Sequence, residues 1–227
     1  MEDTVARTAI LVDGNYYLHR ARMLWGRIKA PEERAAELHS YAIKHITIRR
    51  DKKLEYGERS LYRIFYYDCP PLDRGSVKQP WSTHNTVFSK KHSSNIWSSD
   101  FQRSLGRMRK VAMRMGTLKT SGLHYNLKEE SLKRLLAGDI AVGDLGESDY
   151  TLVGLKQSGV DMRIGLDVAS LASARIVDQI ILMAGDTDFI PVAKVARRAG
   201  VDFILDPMGR KPSPDLELQV DGIEDLT

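Results

Sequence analysis

An unbroken apolar run that stops at two acidic residues constrains this chain more than any other feature. Residues 180–184 are all hydrophobic, and Gly185 separates them from Asp186 and Asp188. A run of this kind predicts a strand buried on both faces, as in a parallel sheet covered by helices. Two carboxylates directly after a buried strand repel each other unless a cation binds nearby. The run therefore predicts both a fold class and a site at the carboxyl end of the strand.

The same order of strand, acidic residue and helix recurs elsewhere in the chain. Residues 8–12 form a short apolar run that predicts a first strand, and Asp13 follows it directly. Residues 160–167 alternate between apolar and non-apolar positions, which predicts another strand. Such a strand would place Asp161 and Asp167 on the same face, with a helix beginning after Asp167.

The remaining elements complete an alternating pattern. Further strands are predicted at residues 61–67 and 201–205, and helices at residues 16–27, from residue 31, and at residues 101–115, 128–137 and 191–199. Strands that alternate with helices indicate an α/β fold, a three-layer sandwich with a mostly parallel, Rossmann-like central sheet. We expect one domain that spans residues 1–227, with residues 70–155 as a variable, partly helical and basic insertion within it.

The acidic residues after the strands predict a metal site. The connections of a parallel sheet bring residues from distant strand ends to one edge. We predict that four aspartates form a catalytic and metal-binding site there: Asp13, Asp167, Asp186 and Asp188. Asn15 and Asp161 are assigned secondary roles beside them, and Asp68 is left out because a Pro-Pro turn follows it. Oxygen ligands without paired His or Cys favour Mg²⁺ or Mn²⁺, which promote reactions of phosphates. The alternative for each acid is a helix cap or a turn residue.

Positive charge is concentrated in one segment. The chain has a net charge of +4, yet residues 89–134 contain eleven Lys and Arg against three acidic residues. The rest of the chain is therefore acidic, and a polyanionic partner is expected for the basic segment. On the predicted helix at residues 101–115, four basic residues lie opposite the apolar face: Arg103, Arg107, Lys110 and Arg114. We predict that they bind RNA phosphates, the alternative being an ordinary solvated face. Candidates for stacking on exposed bases are Trp81, Trp97 and Tyr125.

Composition excludes several other classes of protein. The single cysteine, Cys69, excludes an intrachain disulfide and is typical of a reducing compartment. The sequence contains no apolar run near twenty residues and no Gly-rich phosphate loop of the P-loop or dinucleotide type. We therefore expect a cytoplasmic protein that does not bind membranes, and a homo-oligomer is compatible with this reading.

Three segments together resemble a known family. They are residues 10–15, with the sequence Ile-Leu-Val-Asp-Gly-Asn, residues 159–167, and residues 184–189, with the sequence Ala-Gly-Asp-Thr-Asp-Phe. In this order they resemble the NYN-domain nucleases of the PIN-like superfamily, in particular the LabA-like (DUF88) group. The resemblance implies a parallel α/β sheet and a metal-dependent ribonuclease site built on the four aspartates. Ser158 departs from the family, in which lysine is common at this position.

The leading hypothesis is a ribonuclease that uses Mg²⁺ or Mn²⁺. In this hypothesis the four aspartates hold the ion and an activated water molecule attacks the RNA phosphodiester. One alternative is a non-catalytic RNA-binding or regulatory module, which would keep the basic segment but would not cleave. Another is a small-molecule phosphatase with Asp13 as the nucleophile, although the chain has no second acid two residues after Asp13.

Overall fold

A computed structural model describes residues 5–47, 58–72, 80, 93–119 and 121–227 of the chain. Trp81, a predicted stacking residue, lies outside the described residues. In chain order the elements are β1 (Ala6–Asp13), α1 (Gly14–Leu24), α2 (Pro31–Thr47), β2 (Arg59–Asp68), α3 (Ser93–Gly106), β3 (Val111–Met115), β4 (Thr117–Lys119), β5 (His124–Leu127), α4 (Glu129–Ala137), β6 (Tyr150–Val153), β7 (Lys156–Ser158), α5 (Val160–Ser173), β8 (Gln179–Met183), α6 (Ile190–Arg198), β9 (Asp202–Asp206), α7 (Pro214–Glu217) and β10 (Gly222–Ile223).

Six strands form one central sheet in the order β10-β9-β8-β1-β2-β3, and every neighbouring pair is parallel. The predicted α/β fold with a mostly parallel sheet is therefore confirmed. β1 lies between β8 and β2, with Val12 paired to Met183 and Asp13 paired to Tyr67. This register brings the carboxyl ends of the three strands to the same level.

Alternate residues of the strands pack against two different layers of helices. Ala9 and Leu11 of β1 face a cluster that includes α5 and α6, whereas Ile10 and Val12 face a cluster that includes α1, α2 and α3. All residues of β8 are buried, as the apolar run predicted. Burial of one large apolar side chain stabilises the folded state by on the order of 2 kcal/mol. The two central strands are buried on both faces and therefore contribute strongly to the stability of the fold.

A small antiparallel region interrupts the α/β pattern between β3 and α5. β4 pairs with β7 and β5 pairs with β6, with α4 between them in the chain. The predicted helix at residues 128–137 is confirmed as α4, and Gly138 ends it with a φ of 79°. A left-handed conformation at this position favours glycine, which has no Cβ. In the described part of the chain, no helix has the length and apolar character needed to cross a membrane.

Two secondary-structure predictions are wrong. The helix expected at residues 101–115 ends at Gly106, and residues Val111–Met115 form β3 at the edge of the sheet. The apolar residues of this segment are three and four positions apart, a spacing that is compatible both with one long helix and with a helix followed by a strand. The strand expected at residues 160–167 is the beginning of helix α5, whose buried residues include Val160, Ile164 and Val168. Their spacing of four is helical, and the intervening Met162 and Leu166 are exposed.

Gly14 provides a test of the packing at the junction of β1 and α1. A Cβ added there would lie 2.5 Å from Cζ of Tyr66 and 2.6 Å from the backbone oxygen of Tyr67. We expect Gly14→Ala to lower the free energy of unfolding by about 2 kcal/mol because the core is overpacked. The matched control is Gly165→Ala within α5, where the Cβ would lie 3.5 Å from Val192. It should raise stability by up to about 1 kcal/mol through helix propensity. Urea unfolding of both variants measures this, and equal effects would contradict the packing argument.

Candidate metal and nuclease site

Acidic residues converge on the carboxyl edge of the central sheet. Asp13 is the last residue of β1, Asp68 is the last residue of β2, and Asp186 follows β8 by three residues. Asp161 lies in the first turn of α5. These residues come from four separate segments, so only the fold brings them together.

Asp13 is the most buried of the predicted site aspartates. Its Oδ1 accepts a hydrogen bond from the backbone N of Tyr16 at 3.1 Å, so the carboxylate caps the start of α1. Burial raises the pKa of Asp13 from 3.8 to about 6, and the negative charges of Asp161 and Asp68 add to this shift. A half-buried carboxylate surrounded by other carboxylates is favourable for binding a cation.

Asp186 and Asp188 lie in an exposed turn between β8 and α6. Oδ1 of Asp186 accepts a hydrogen bond from the backbone N of Asp188 at 3.1 Å, which fixes the two acids relative to each other. Glycine is required at position 185 because the ring of Tyr16 packs against the Cα of Gly185. A Cβ at Gly185 would lie 2.5 Å from Cε2 of Tyr16. Tyr16 therefore connects the Asp13 segment to the Asp186 segment.

Asp161 belongs to this acidic group. Burial raises the pKa of Asp161, and the nearby charges of Asp186 and Asp188 raise it further. The charge of Asp161 also raises the pKa of Asp13. The sequence assigns Asp161 a secondary role on a strand, whereas in the structure it lies in the first turn of α5.

Asp167 makes different contacts. Its Oδ2 accepts hydrogen bonds from the hydroxyl of Tyr67 at 2.8 Å and from Nε of Arg114 at 2.9 Å. Six residues along a helix correspond to a rotation of about 240° from Asp161, so the expectation that both acids share one face is wrong. Asp167 connects α5 to β2 and β3 through these bonds, and its predicted role as a metal ligand stays a prediction.

Asp68 is the acidic residue that sequence analysis set aside. It is buried, and its carboxylate accepts hydrogen bonds from the hydroxyl of Tyr66, Nε2 of Gln102 and the backbone N of Cys69, at distances of 3.1, 3.2 and 2.7 Å. Burial raises its pKa, while these hydrogen bonds oppose the shift. The sequence feature that identifies Asp68 as a candidate for the site is its position at the end of a predicted strand. Asn15, which was assigned a secondary role, is exposed in the first turn of α1 beside Asp13.

The four predicted RNA-binding residues do not form one helical face. Arg103 lies on α3 and pairs with Asp100 at 3.0 Å, whereas Arg107 and Lys110 lie in the turn that follows. Arg114 lies on β3, where its guanidinium pairs with Asp167 and lies 5.0 Å from the ring centroid of Phe65. The prediction that these four residues form a single basic stripe is therefore wrong, because the helix expected to carry them ends at Gly106. RNA binding by these residues remains a prediction.

The chemistry of the acidic residues fits a hard divalent cation. Asp13, Asp161, Asp186 and Asp188 offer only oxygen donors, and the raised pKa values of Asp13 and Asp161 reflect burial and repulsion that a cation would relieve. Within the described ranges, no three His, Cys, Asp or Glu side chains are close enough to hold a metal ion jointly. Mg²⁺ commonly binds through one or two carboxylates and retains several water molecules, so fewer direct ligands suffice.

The parallel sheet flanked by helices is consistent with a PIN-like fold. The family model of the NYN domain matches residues 124–223, so this part of the chain carries an NYN domain, and the family belongs to the PIN-like superfamily of nucleases. The resemblance read from the sequence is thereby confirmed. Asp161, Asp186 and Asp188 lie within the matched residues, whereas Asp13 and Asp68 precede them.

Other comparisons add little about the site. The chain is similar to a solved protein of unknown function from Vibrio parahaemolyticus, with 15% sequence identity and a TM-score of 0.46, over 100% of this chain and 96% of that chain. No curated protein matches the chain.

The raised pKa of Asp13 predicts how stability depends on pH. Between about pH 4 and 6 the folded protein retains the Asp13 proton while the unfolded chain loses it. Raising the pH through this window therefore destabilises the wild-type protein. Asp13→Asn keeps an oxygen that can cap α1 but cannot ionise. We expect the variant to gain about 2 kcal/mol relative to wild type between pH 4 and pH 7.5.

Urea unfolding at both pH values, in the presence of a chelator, measures this gain. Asp139→Asn, at an exposed position after α4, is the control and should show no such change. A stability difference between Asp13→Asn and wild type that does not change with pH would contradict a pKa of Asp13 raised by burial and by neighbouring charges.

Proposed function

We propose that this protein is a metal-dependent ribonuclease that hydrolyses RNA phosphodiester bonds at the carboxyl edge of its sheet. The observation that carries this proposal is the convergence of Asp13, Asp161, Asp186 and Asp188 at one edge of an NYN-domain fold. Nucleases of the PIN-like superfamily generally use divalent metals. The oxygen-only donors favour Mg²⁺ or Mn²⁺.

The acidic residues have different roles in this proposal. Asp186 and Asp188, which are exposed at the rim of the site, and half-buried Asp13 would hold the ion. Asp161 completes the group from α5. A bound divalent ion supplies charge neutralisation and activates water for attack on the phosphodiester. The amide of Asn15 would orient a water molecule beside Asp13.

The proposed RNA contacts extend beyond the acidic site. The exposed side chains of Arg103, Arg107 and Lys110 bind backbone phosphates. Lys110 directly precedes β3 and its Nζ donates to the backbone oxygen of Leu61, so Arg107 and Lys110 would contact RNA near the amino ends of β2 and β3. Arg114, which is already paired with Asp167, contributes less. We also propose a cytoplasmic location, in which the buried thiol of Cys69 stays reduced, and one domain over residues 1–227 that can form homo-oligomers.

A second candidate is an RNA-binding module without catalysis. The observation that favours it is the lack of any three metal-binding side chains in mutual contact among the described residues. This alternative keeps RNA binding but predicts no cleavage with either metal.

Asp186→Asn tests the proposed activity. The amide retains an oxygen that can accept the bond from the backbone N of Asp188, so the turn should persist. We expect the cleavage rate of Asp186→Asn to fall further than the roughly 10- to 100-fold loss that removal of a supporting contact causes. RNA binding should stay within about twofold of wild type. Labelled single-stranded and structured RNA, incubated with Mn²⁺, with Mg²⁺ and with a chelator, measures this. Asp139→Asn is the control. Unchanged cleavage by Asp186→Asn would rule out this site. Absence of cleavage by the wild type with either metal would favour the non-catalytic RNA-binding module.

A comparison of Asp161→Asn with Asp167→Asn distinguishes the two acids of α5. We expect Asp161→Asn to lower kcat more than about tenfold, with partial rescue by excess Mn²⁺, because it loses a carboxylate of the acidic group. Asp167→Asn should lower the thermal midpoint slightly and change kcat by less than about threefold, because the partly exposed pair with Arg114 is worth only about 1 kcal/mol. Loss of cleavage in Asp167→Asn with retained activity in Asp161→Asn would restore the assignment made from sequence.

A further inference from the structure

A tight turn after β9 borders the acidic site. The backbone N of Arg210 donates to the backbone oxygen of Pro207 at 3.0 Å, which closes a four-residue turn over residues 207–210. Met208 and Gly209, the central residues, have φ values of 46° and 73°. Two positive φ values define a turn of type I′. Methionine rarely adopts this conformation, so its surroundings must hold it there.

Side chains from other parts of the chain fix this turn. The backbone N of Met208 donates to Oδ1 of Asp206 at 2.8 Å, and Nε of Arg20 donates to the backbone oxygen of Met208 at 2.9 Å. The backbone N of Gly209 donates to Oδ2 of Asp225 at 2.6 Å. The side chain of Met208 is fully buried. The turn is therefore held by α1, β9 and the C-terminal segment.

Tyr16 connects the turn to the acidic site. Its hydroxyl donates to the backbone oxygen of Pro207 at 2.6 Å. Its ring lies against Gly185, directly before Asp186, and its backbone N donates to Asp13. Tyr16 thus contacts the turn through its hydroxyl, Gly185 through its ring and Asp13 through its backbone N, which holds the turn beside the segments that carry two of the proposed metal ligands.

The turn presents positive charge beside a negatively charged site. Arg210 and Lys211 are exposed, and Arg210 forms no ion pair with any residue in the described part of the chain. The backbone N of Arg210 and the hydroxyl of Tyr16 donate to the same backbone oxygen of Pro207, so Arg210 begins beside the Tyr16 hydroxyl. RNA is repelled by a group of carboxylates, so cations at the border are needed to bring its backbone near them.

We propose that the turn at residues 207–210 is a substrate-positioning element in which Arg210 binds a backbone phosphate of RNA adjacent to the phosphate at the acidic site. Lys211 adds a second positive charge. Phosphate contacts fix the register of a nucleic acid without reading its sequence, and the guanidinium group matches a phosphate through two parallel hydrogen bonds. The proposal rests on the proposed ribonuclease function and specifies one of its substrate contacts.

Arg210→Ala tests this contact, with Arg198→Ala as the matched control. Arg198 is also exposed but lies at the end of α6, just before β9 begins. Binding of fluorescent single-stranded RNA is measured by anisotropy in a chelator, from 50 to 200 mM salt. We expect Arg210→Ala to weaken binding roughly 3- to 10-fold at low salt and to reduce the salt slope by about 0.7. Arg198→Ala should match wild type. With Mn²⁺, Arg210→Ala should raise KM with little change in kcat.

Two further variants separate charge from position. Arg210→Lys should keep the salt slope but lose part of the affinity, because lysine does not bind a phosphate through two parallel bonds. Tyr16→Phe removes the hydrogen bond to Pro207 while keeping the ring over Gly185, and should lower kcat/KM several-fold without changing the salt slope.

The outcomes separate this inference from the proposed function. Identical RNA binding by Arg210→Ala and Arg198→Ala overturns the inference, even if the wild type cleaves RNA. A wild type that binds RNA through Arg210 but never cleaves overturns the ribonuclease assignment and retains the phosphate contact. A wild type that does not bind RNA overturns both.

Discussion

Burial of β8 and β1 on both faces is the constraint on which the rest of the structure depends. Their side chains alternate between two helical layers, so neither strand can leave the centre of the sheet without exposing apolar surface. Because all six strands run in the same direction, their carboxyl ends lie along one edge. Polar residues are tolerated there, where the apolar strands stop. The location of the site is thus a consequence of how the core is formed.

This edge places negative charges at graded depths. Asp13 is half-buried at the end of β1, whereas Asp186 and Asp188 are exposed at the rim. The deeper carboxylate has the raised pKa because burial penalises its charge and the neighbouring acids repel it. A cation arriving from solvent would meet the exposed acids first and relieve the repulsion at the deeper one. The same field would repel RNA, so the substrate contacts proposed beside this edge are cationic side chains.

Sequence patterns predicted the elements whose signals are local. The apolar runs of β1 and β8, the helix start at Pro31 and the end of α4 at residue 137 all match the structure. Residues 160–167 were misread because alternation over eight residues also contains the spacing of four that a buried helix face requires. The helix at residues 101–115 was extended through Gly106 for a related reason. Local periodicity alone does not say which apolar residues will find partners on a sheet.

The sequence by itself determined that this chain forms a parallel α/β sheet with acidic residues after its strands, because buried runs and the residues that end them are adjacent in the chain. Only the tertiary structure decided which acids face each other. Asp167 pairs with Arg114 on β3, while the charges of Asp186 and Asp188 raise the pKa of Asp161, six residues earlier. These choices depend on the rotation of α5 and on contacts between residues far apart in sequence. No local pattern encodes them, because they arise only when the helices pack onto the sheet.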